Sequence, residues 1–235
     1  MPVCSMALGT WQVYRHRWKS DLIEKYTSRL NMKPILCPDD LDPEHARENW
    51  DHRKVLVKGK WRHDLEMLVG IRTRDGRGGF HVITPLQRQD GSKVLVNRGW
   101  IASKFRDQES RKLGLPEDEV VVHALVRPHP RKNIFTPENK PHEDKFYFTD
   151  VPQMVELTMS KPIYLENIIE DDDFKADMDA KCGIPIGRNP TINLSNNHLS
   201  YIFTWYALAG ATSLMLYFLL RKPKNPIQAK IYRTE

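Results

Sequence analysis

The chain has 235 residues and a formal net charge of +6, with 36 Lys and Arg against 30 Asp and Glu. Much of the basic excess sits in two clusters, Arg15 to Lys19 and Arg221 to Lys224, which points to anionic lipid headgroups before nucleic acid; RNP-type aromatics, zinc-finger spacing and a helix-turn-helix signature are missing. The three cysteines, Cys4, Cys37 and Cys182, are far apart and in no C-x-x-C, and the eight methionines are scattered, so a disulfide framework, a zinc site and a copper carrier are excluded.

Residues 1–10, MPVCSMALGT, are apolar but fall well short of the roughly 20 residues a membrane span needs. They lack the charged n-region of a signal peptide and the Arg/Ser-rich length of a transit peptide, so the expectation is the remnant of a first transmembrane helix whose beginning is missing. Over residues 11–31, Trp11, Arg15, Trp18, Leu22, Tyr26 and Leu30 recur near every fourth position. This spacing predicts a membrane-proximal amphipathic helix that ends at Asn31, with Pro34 barring its extension.

Residues 32–196 read as one α+β domain, rich in β structure. Pro34 to Asn49 is proline-rich and acidic, a loop with at most a short helix. Strand-like runs follow at Lys54–Val57, Glu66–Ile71, Phe80–Leu86, Lys93–Asn97 and Glu119–Val126, with further strands expected at Pro162–Leu165 and Thr191–Leu194 and a short helix at Asp150–Met159. The Asp90-Gly91 turn signal makes HVITPL and KVLVN antiparallel partners.

Residues 199–220, LSYIFTWYALAGATSLMLYFLL, carry no formal charge and suit a transmembrane helix. Asn196, Asn197 and His198 precede the span and Arg221, Lys222, Lys224, Lys230 and Arg233 follow it. The basic tail, residues 221–235, therefore faces the cytoplasm, or the matrix in a mitochondrial inner membrane, and the domain lies on the other side. Tyr201, Trp205 and Tyr206 form an interfacial aromatic belt, and Gly210, Ala211 and Ser213 are small enough for a second helix to approach. The fold class is thus α+β: a β-rich soluble domain anchored by a C-terminal transmembrane helix and the remnant of an N-terminal one.

Most chemical motifs dissolve on inspection. Arg72 to Gly79 is glycine-rich and basic but has neither the P-loop nor the Rossmann pattern, and reads as a flexible inter-strand loop. Glu170 to Asp173, with Asp177 and Asp179, lacks the EF-hand pattern and reads as a solvated loop. His45, His52, His63, His81, His123, His129 and His142 show no metal-ligand spacing, and no Ser has a nucleophile-elbow context, so the chain reads as non-enzymatic. His198 differs by position, one residue before the apolar run and within a turn of Tyr201. A neutral imidazole there can ligate the iron of an apolar macrocycle resting against Trp205 and Tyr206, or serve as an interfacial or helix-capping histidine.

Several blocks carry a family resemblance. Leu8-Gly-Thr-Trp-Gln12, the basic Arg15-His-Arg-Trp-Lys19, Val82-Ile-Thr-Pro85, Val94-Leu-Val-Asn-Arg-Gly-Trp100, Pro137-Glu-Asn139 and Asn197-His-Leu-Ser-Tyr-Ile-Phe-Thr-Trp-Tyr206 resemble, in this order, the Surfeit locus protein 1 family. The match covers residues 7 to 221, and VLVNRGW and NHLxYxxTWY are its most specific parts. The resemblance implies an assembly factor of cytochrome c oxidase in the mitochondrial inner membrane, with two transmembrane helices, the domain in the intermembrane space and the tail in the matrix. It implies partners in the oxidase catalytic subunit, other assembly factors and inner-membrane lipids, with no nucleic acid. It also implies transient binding of haem a, with His198 as axial ligand beside Tyr201, Trp205 and Tyr206. The alternative is a cofactor-free scaffold that docks oxidase subunits and other assembly factors. The departure from the family is at the N-terminus, where members have a targeting segment and a complete first helix.

Overall fold

The structure is a computed structural model that describes residues 1–38, 49–169, 173–191 and 196–221. It divides into two compact units, Met1–Lys25 with Ile192–Glu235, and Tyr26–Thr191. Most of the acidic loop 34–49, the acidic run 170–173 apart from Asp173, most of the strand expected at 191–194, and the tail beyond Arg221 lie outside the described residues.

The first unit is a helix pair. Helix α1 spans Pro2–Asn31 and stops where Pro34 forecloses continuation, as the sequence predicts. The second helix, His198–Arg221, is long and apolar enough to cross a membrane, and of its side chains only Ala209 is buried. A soluble core helix would be covered; this one presents its apolar surface outward.

The second unit is built on a sheet of seven strands: β1 (Ile35–Leu36), β2 (Lys54–Trp61), β3 (Met67–Arg74), β4 (Arg77–Gln87), β5 (Lys93–Ala102), β6 (Val120–Val126) and β7 (Lys161–Asn167), in the order β1-β2-β6-β7-β5-β4-β3. A further pairing of Lys60 and Trp61 with Gln87 and Leu86 joins β2 to β4, so the circuit β2-β6-β7-β5-β4 closes on itself. Closure buries one face of β5, and the segment that carries Val151 and Met154 covers the other. Val94 and Val96 point into one cluster with Val55, Val122 and Leu165, while Leu95 points into another with Val69, Ile83, Met154 and Tyr164. A strand buried on both sides needs an unbroken apolar run, and KVLV supplies it. Helix α2 (Val151–Thr158), N-capped by Asp150, which accepts from the Gln153 amide at 3.3 Å, covers the second cluster. Helix α3 (Asp173–Cys182) places Ala176 against Trp100 and Ile186, and the long helix His198–Arg221 is α4.

The expected β4–β5 hairpin is present, with Leu86 opposite Val94 and Thr84 opposite Val96. Two expectations are corrected. Arg72 to Gly79 is not a flexible loop: Arg72, Thr73 and Arg74 pair with Gly79, Gly78 and Arg77 across the two-residue turn Asp75-Gly76. Both turn residues have positive φ, 49° and 74°, the backbone that matches the twist of a two-residue hairpin. Ile35-Leu36, read as loop, pairs in parallel with Val55-Leu56 as β1, because the rim of the closed sheet offers unpaired backbone groups there.

The VLVNRGW block makes a β-bulge. Val82 pairs with Gly99 and Ile83 with Asn97, which leaves Arg98 without a partner in the ladder. Asn97 Oδ1 accepts from the Gly99 amide at 3.0 Å, and a Cβ at Gly99 (φ 124°) would lie 1.9 Å from the Ile186 carbonyl oxygen. Only glycine fits this position. Arg98 is carried into the interior, where its guanidinium lies 4.8 Å from the Trp61 ring and donates to the Gly114 carbonyl at 2.6 Å. Glu66 is the counter-charge: it forms a close ion pair with buried Arg111, lies 3.9 Å from Arg98, and accepts from Gln108 and Thr84 at 3.3 and 3.4 Å. Burial pushes the Arg98 pKa down to about 10 while Glu66 opposes that shift.

The end of α1 belongs to this second unit. Leu30 is buried, Arg29 donates to the Asp51 carbonyl at 3.2 Å, and Tyr26 stacks on His52 with ring centroids 4.2 Å apart.

Candidate functional site

The candidate site is the seam between α1 and α4. On α4 the covered or half-covered positions are His198, Ile202, Trp205, Ala209 and Thr212; on α1 Ser5, Gly9, Gln12 and His16 are among them. Alternating steps of four and three residues are the spacing that keeps one stripe of each helix facing a partner. The small side chains Ser5 and Ala209 are 3% and 4% exposed and let the backbones approach, and Gly9 belongs to the same close contact. A Cβ on Gly9 would stand 3.1 Å from the Tyr206 ring, so the ring lies directly on the α1 backbone at that point.

This face differs from the first half of the stripe the sequence suggested, whose later members Leu22, Tyr26 and Leu30 are half-covered or buried. Trp11 and Trp18 of the aromatic stripe are 54% and 46% exposed, and the Arg15 guanidinium sits 4.2 Å over the Trp18 ring. Gly210 has open space beside it, because the helical period puts Ala209, one step of about 100° away, on the seam with His198, Ile202 and Trp205. The helices meet through small and polar residues together with Ile202, Trp205 and the Tyr206 ring, while Trp11, Trp18 and most large apolar side chains of α4 are exposed.

Hydrogen-bonded ties cross the seam at three levels among the described residues. Thr10 donates to the Met6 carbonyl at 3.0 Å, which leaves its oxygen to accept from the Tyr206 hydroxyl at 3.2 Å. One turn further, His198 Nδ1 lies 2.6 Å from Gln12 Oε1. Beyond that, His16 Nδ1 lies 3.0 Å from Asn196 Oδ1, and Asn196 donates to Ser20 Oγ at 3.2 Å.

The middle tie has chemical content. Facing an amide oxygen, Nδ1 must carry the proton, so Nε2 keeps its lone pair. Among the described residues Nε2 is buried and without a hydrogen-bond partner. A buried acceptor left unmatched has a desolvation cost, and a neutral imidazole held through its other nitrogen is the arrangement of a metal-ligating histidine. The residues therefore fit an iron-bearing ligand at one atom. Of the other residues singled out with His198, Tyr206 is drawn into the seam, Trp205 is half-buried on it, and Tyr201 is 55% exposed. A separate apolar groove of about 800 Å³ is lined by Met6, Ala7, Thr10, Tyr206, Gly210 and Ser213. His198 is not among the residues that line it.

Gln12 was missed by sequence reasoning as a site residue, although it closes the LGTWQ block. A lone Gln in a helix carries no ligand signal; only the return of the chain at His198 gives it one.

The blocks that meet here also place the chain among known proteins. The SURF1 family model matches residues 1–210. The chain belongs to the SURF1 family. It is 34% identical over 233 residues to Surfeit locus protein 1 of Gallus gallus, covering 92% of this chain and 72% of the relative. Similarity to the Homo sapiens protein of the same name is also 34%, over 92% of this chain and 73% of the relative. The cytochrome oxidase assembly protein SHY1 of Saccharomyces cerevisiae is 30% identical, over 96% and 74% respectively. The SURF1 match takes in both sides of the seam, from α1 through the first half of α4.

Proposed function

We propose that this chain is a non-catalytic assembly factor for mitochondrial cytochrome c oxidase, anchored in the inner membrane by α4, that holds haem a on His198 for the oxidase catalytic subunit. Membership of the SURF1 family and the name of the yeast relative, a cytochrome oxidase assembly protein, support the assembly role. The uncharged, outward-facing surface of α4 supports the anchor, with the domain in the intermembrane space and residues 221–235 in the matrix. Other assembly factors and inner-membrane lipids complete its surroundings.

The observation that carries the haem reading is His198 Nε2, buried and unpartnered among the described residues, with Nδ1 tied to Gln12. Haem iron supplies an acceptor for one axial nitrogen. The chain supplies that nitrogen in a fixed tautomer, a Trp205 and Tyr206 surface for an apolar ring edge, and Tyr201 at the outer end.

The test is to co-express the chain with a haem a biosynthetic pathway, purify it in detergent and record its spectrum beside His198→Ala. A haem band that disappears or shifts in the variant, with the domain still folded, supports ligation. A wild-type protein without the band overturns it and favours the cofactor-free scaffold. Resistance to alkaline carbonate extraction checks the anchor independently, since roughly 20 buried apolar side chains at about 1.5 to 3 kcal/mol each far exceed a peripheral contact.

A further inference from the structure

The domain carries an exposed apolar point that neither the core nor the candidate site uses. After β6 the chain runs through residues 127–139, where the Thr136 amide donates to the Asn133 carbonyl at 3.0 Å and closes a turn. Ile134 and Phe135 occupy the two central positions and are 95% and 91% exposed, the most exposed large apolar side chains of the described domain.

The turn is held at its base. Asn139, 9% exposed, accepts from the Tyr147 and Phe148 amides at 2.8 and 3.2 Å and donates to Gln153 at 3.0 Å. His129 Nε2 lies 3.1 Å from the Pro162 carbonyl, and Lys132 pairs with Glu138 and lies 5.6 Å over the Phe148 ring. Pro128, Pro130 and Pro137 restrict the backbone further. Two bulky apolar groups are thus displayed on a braced loop.

We infer that Ile134 and Phe135 insert into the surface of an anionic bilayer, a second membrane contact besides α4; this rests on the reading of α4 as an anchor. The chemistry favours lipid over a protein partner. A stable protein interface covers about 800 Å² per partner around an apolar core, and two apolar side chains flanked by exposed polar residues and proline at 131–133 and 137–138 fall short of such a core. A bilayer accepts a narrow wedge with basic side chains at headgroup level. Beside the tip Arg131 is exposed and basic, and Lys132 and Lys140 are exposed with Glu138 and Glu143 as their ion-pair partners, so the surface next to the apolar pair is basic at Arg131 and complements anionic headgroups. Tethering by a membrane helix raises the concentration of the loop near lipid, so a weak wedge suffices.

The test uses the full chain with Cys4→Ser, Cys37→Ser, Cys182→Ser and Phe135→Cys, labelled with an environment-sensitive fluorophore and reconstituted into vesicles. Vesicles of phosphatidylcholine alone are compared with vesicles that also contain phosphatidylglycerol. The expected result is blue-shifted emission, quenching by a nitroxide on the lipid chains and resistance to aqueous iodide, all stronger with phosphatidylglycerol. Emission as in water in both vesicles, while the protein resists carbonate, overturns the inference and leaves the anchor standing. A label shielded only after oxidase subunits are added overturns it in favour of a protein partner. Lipid-side quenching in a protein that carbonate releases supports the loop and sinks the anchor instead. Ile134→Ser, introduced beside the labelled position, should reduce the lipid-side quenching; unchanged quenching would also overturn the inference.

Discussion

Gln12 and His198, 186 positions apart in sequence, are joined by a 2.6 Å contact from the imidazole Nδ1 to the amide oxygen. That contact decides which ring nitrogen holds the proton, and it ties α1 to α4 at the level where the apolar run begins.

Replacing Gln12 with Leu keeps the bulk and removes the acceptor. Outer partners of metal-bound histidines commonly contribute 10- to 100-fold in affinity, so haem recovered with purified Gln12→Leu should fall by about tenfold or more. Nitrogen-15 NMR of the His198 ring should report loss of the single tautomer in the haem-free protein. Gln12→Glu, which keeps an acceptor, should retain the ligand. Wild-type haem content in the Leu variant would show that the contact is structural only.

Gly9 tests the seam itself. Gly9→Ala requires the Tyr206 ring to move by a few tenths of an ångström and should cost little, because Ala also favours the helix by roughly 0.5 to 1 kcal/mol. Gly9→Leu cannot be accommodated so simply and should separate the helices. Its melting temperature in detergent should drop well below that of Gly9→Ala; equal values would mean that the close approach is not required.

Glu66 balances two buried guanidinium groups, those of Arg98 and Arg111. Glu66→Gln should destabilise the domain by about 3 to 5 kcal/mol, read as a lowered urea midpoint, because it leaves buried cations without a counter-charge. Combining Glu66→Leu with Arg111→Met should be less damaging than Glu66→Leu alone. If the double variant is the weaker protein, the pair contributes more than its own desolvation removes.

His81 lies on β4, and burial, helped by the charge of Arg72, holds its pKa below the ordinary 6.5. As pH falls through 6.5 the unfolded chain takes up the proton first, so stability present above that value is lost on acidification. Between roughly pH 7.5 and 5.5 the urea midpoint of the wild type should fall more than that of His81→Gln. Parallel slopes in the two proteins would remove His81 as a source of the pH dependence.

The sequence by itself determined the features whose causes are local. An uncharged run long enough to span a bilayer defined α4, Pro34 ended α1, and Asp90-Gly91 between two β-branched runs made the β4–β5 hairpin. It also singled out His198, by its position at the mouth of the apolar run. Tertiary structure alone decided what depends on chain segments returning to each other. The β2–β4 closure and helix α2 together bury both faces of β5, the bulge at Arg98 faces Glu66, and Gln12 meets His198. In the sequence each of these polar residues looks like a surface residue, because side-chain type records the cost of burial and not the partner that offsets it. Leu30, at the end of the predicted stripe of α1, is buried, but over the first half of the helix the packed face runs beside the stripe: two helices that approach closely need small residues between them, and that requirement exists only once the second helix is in place.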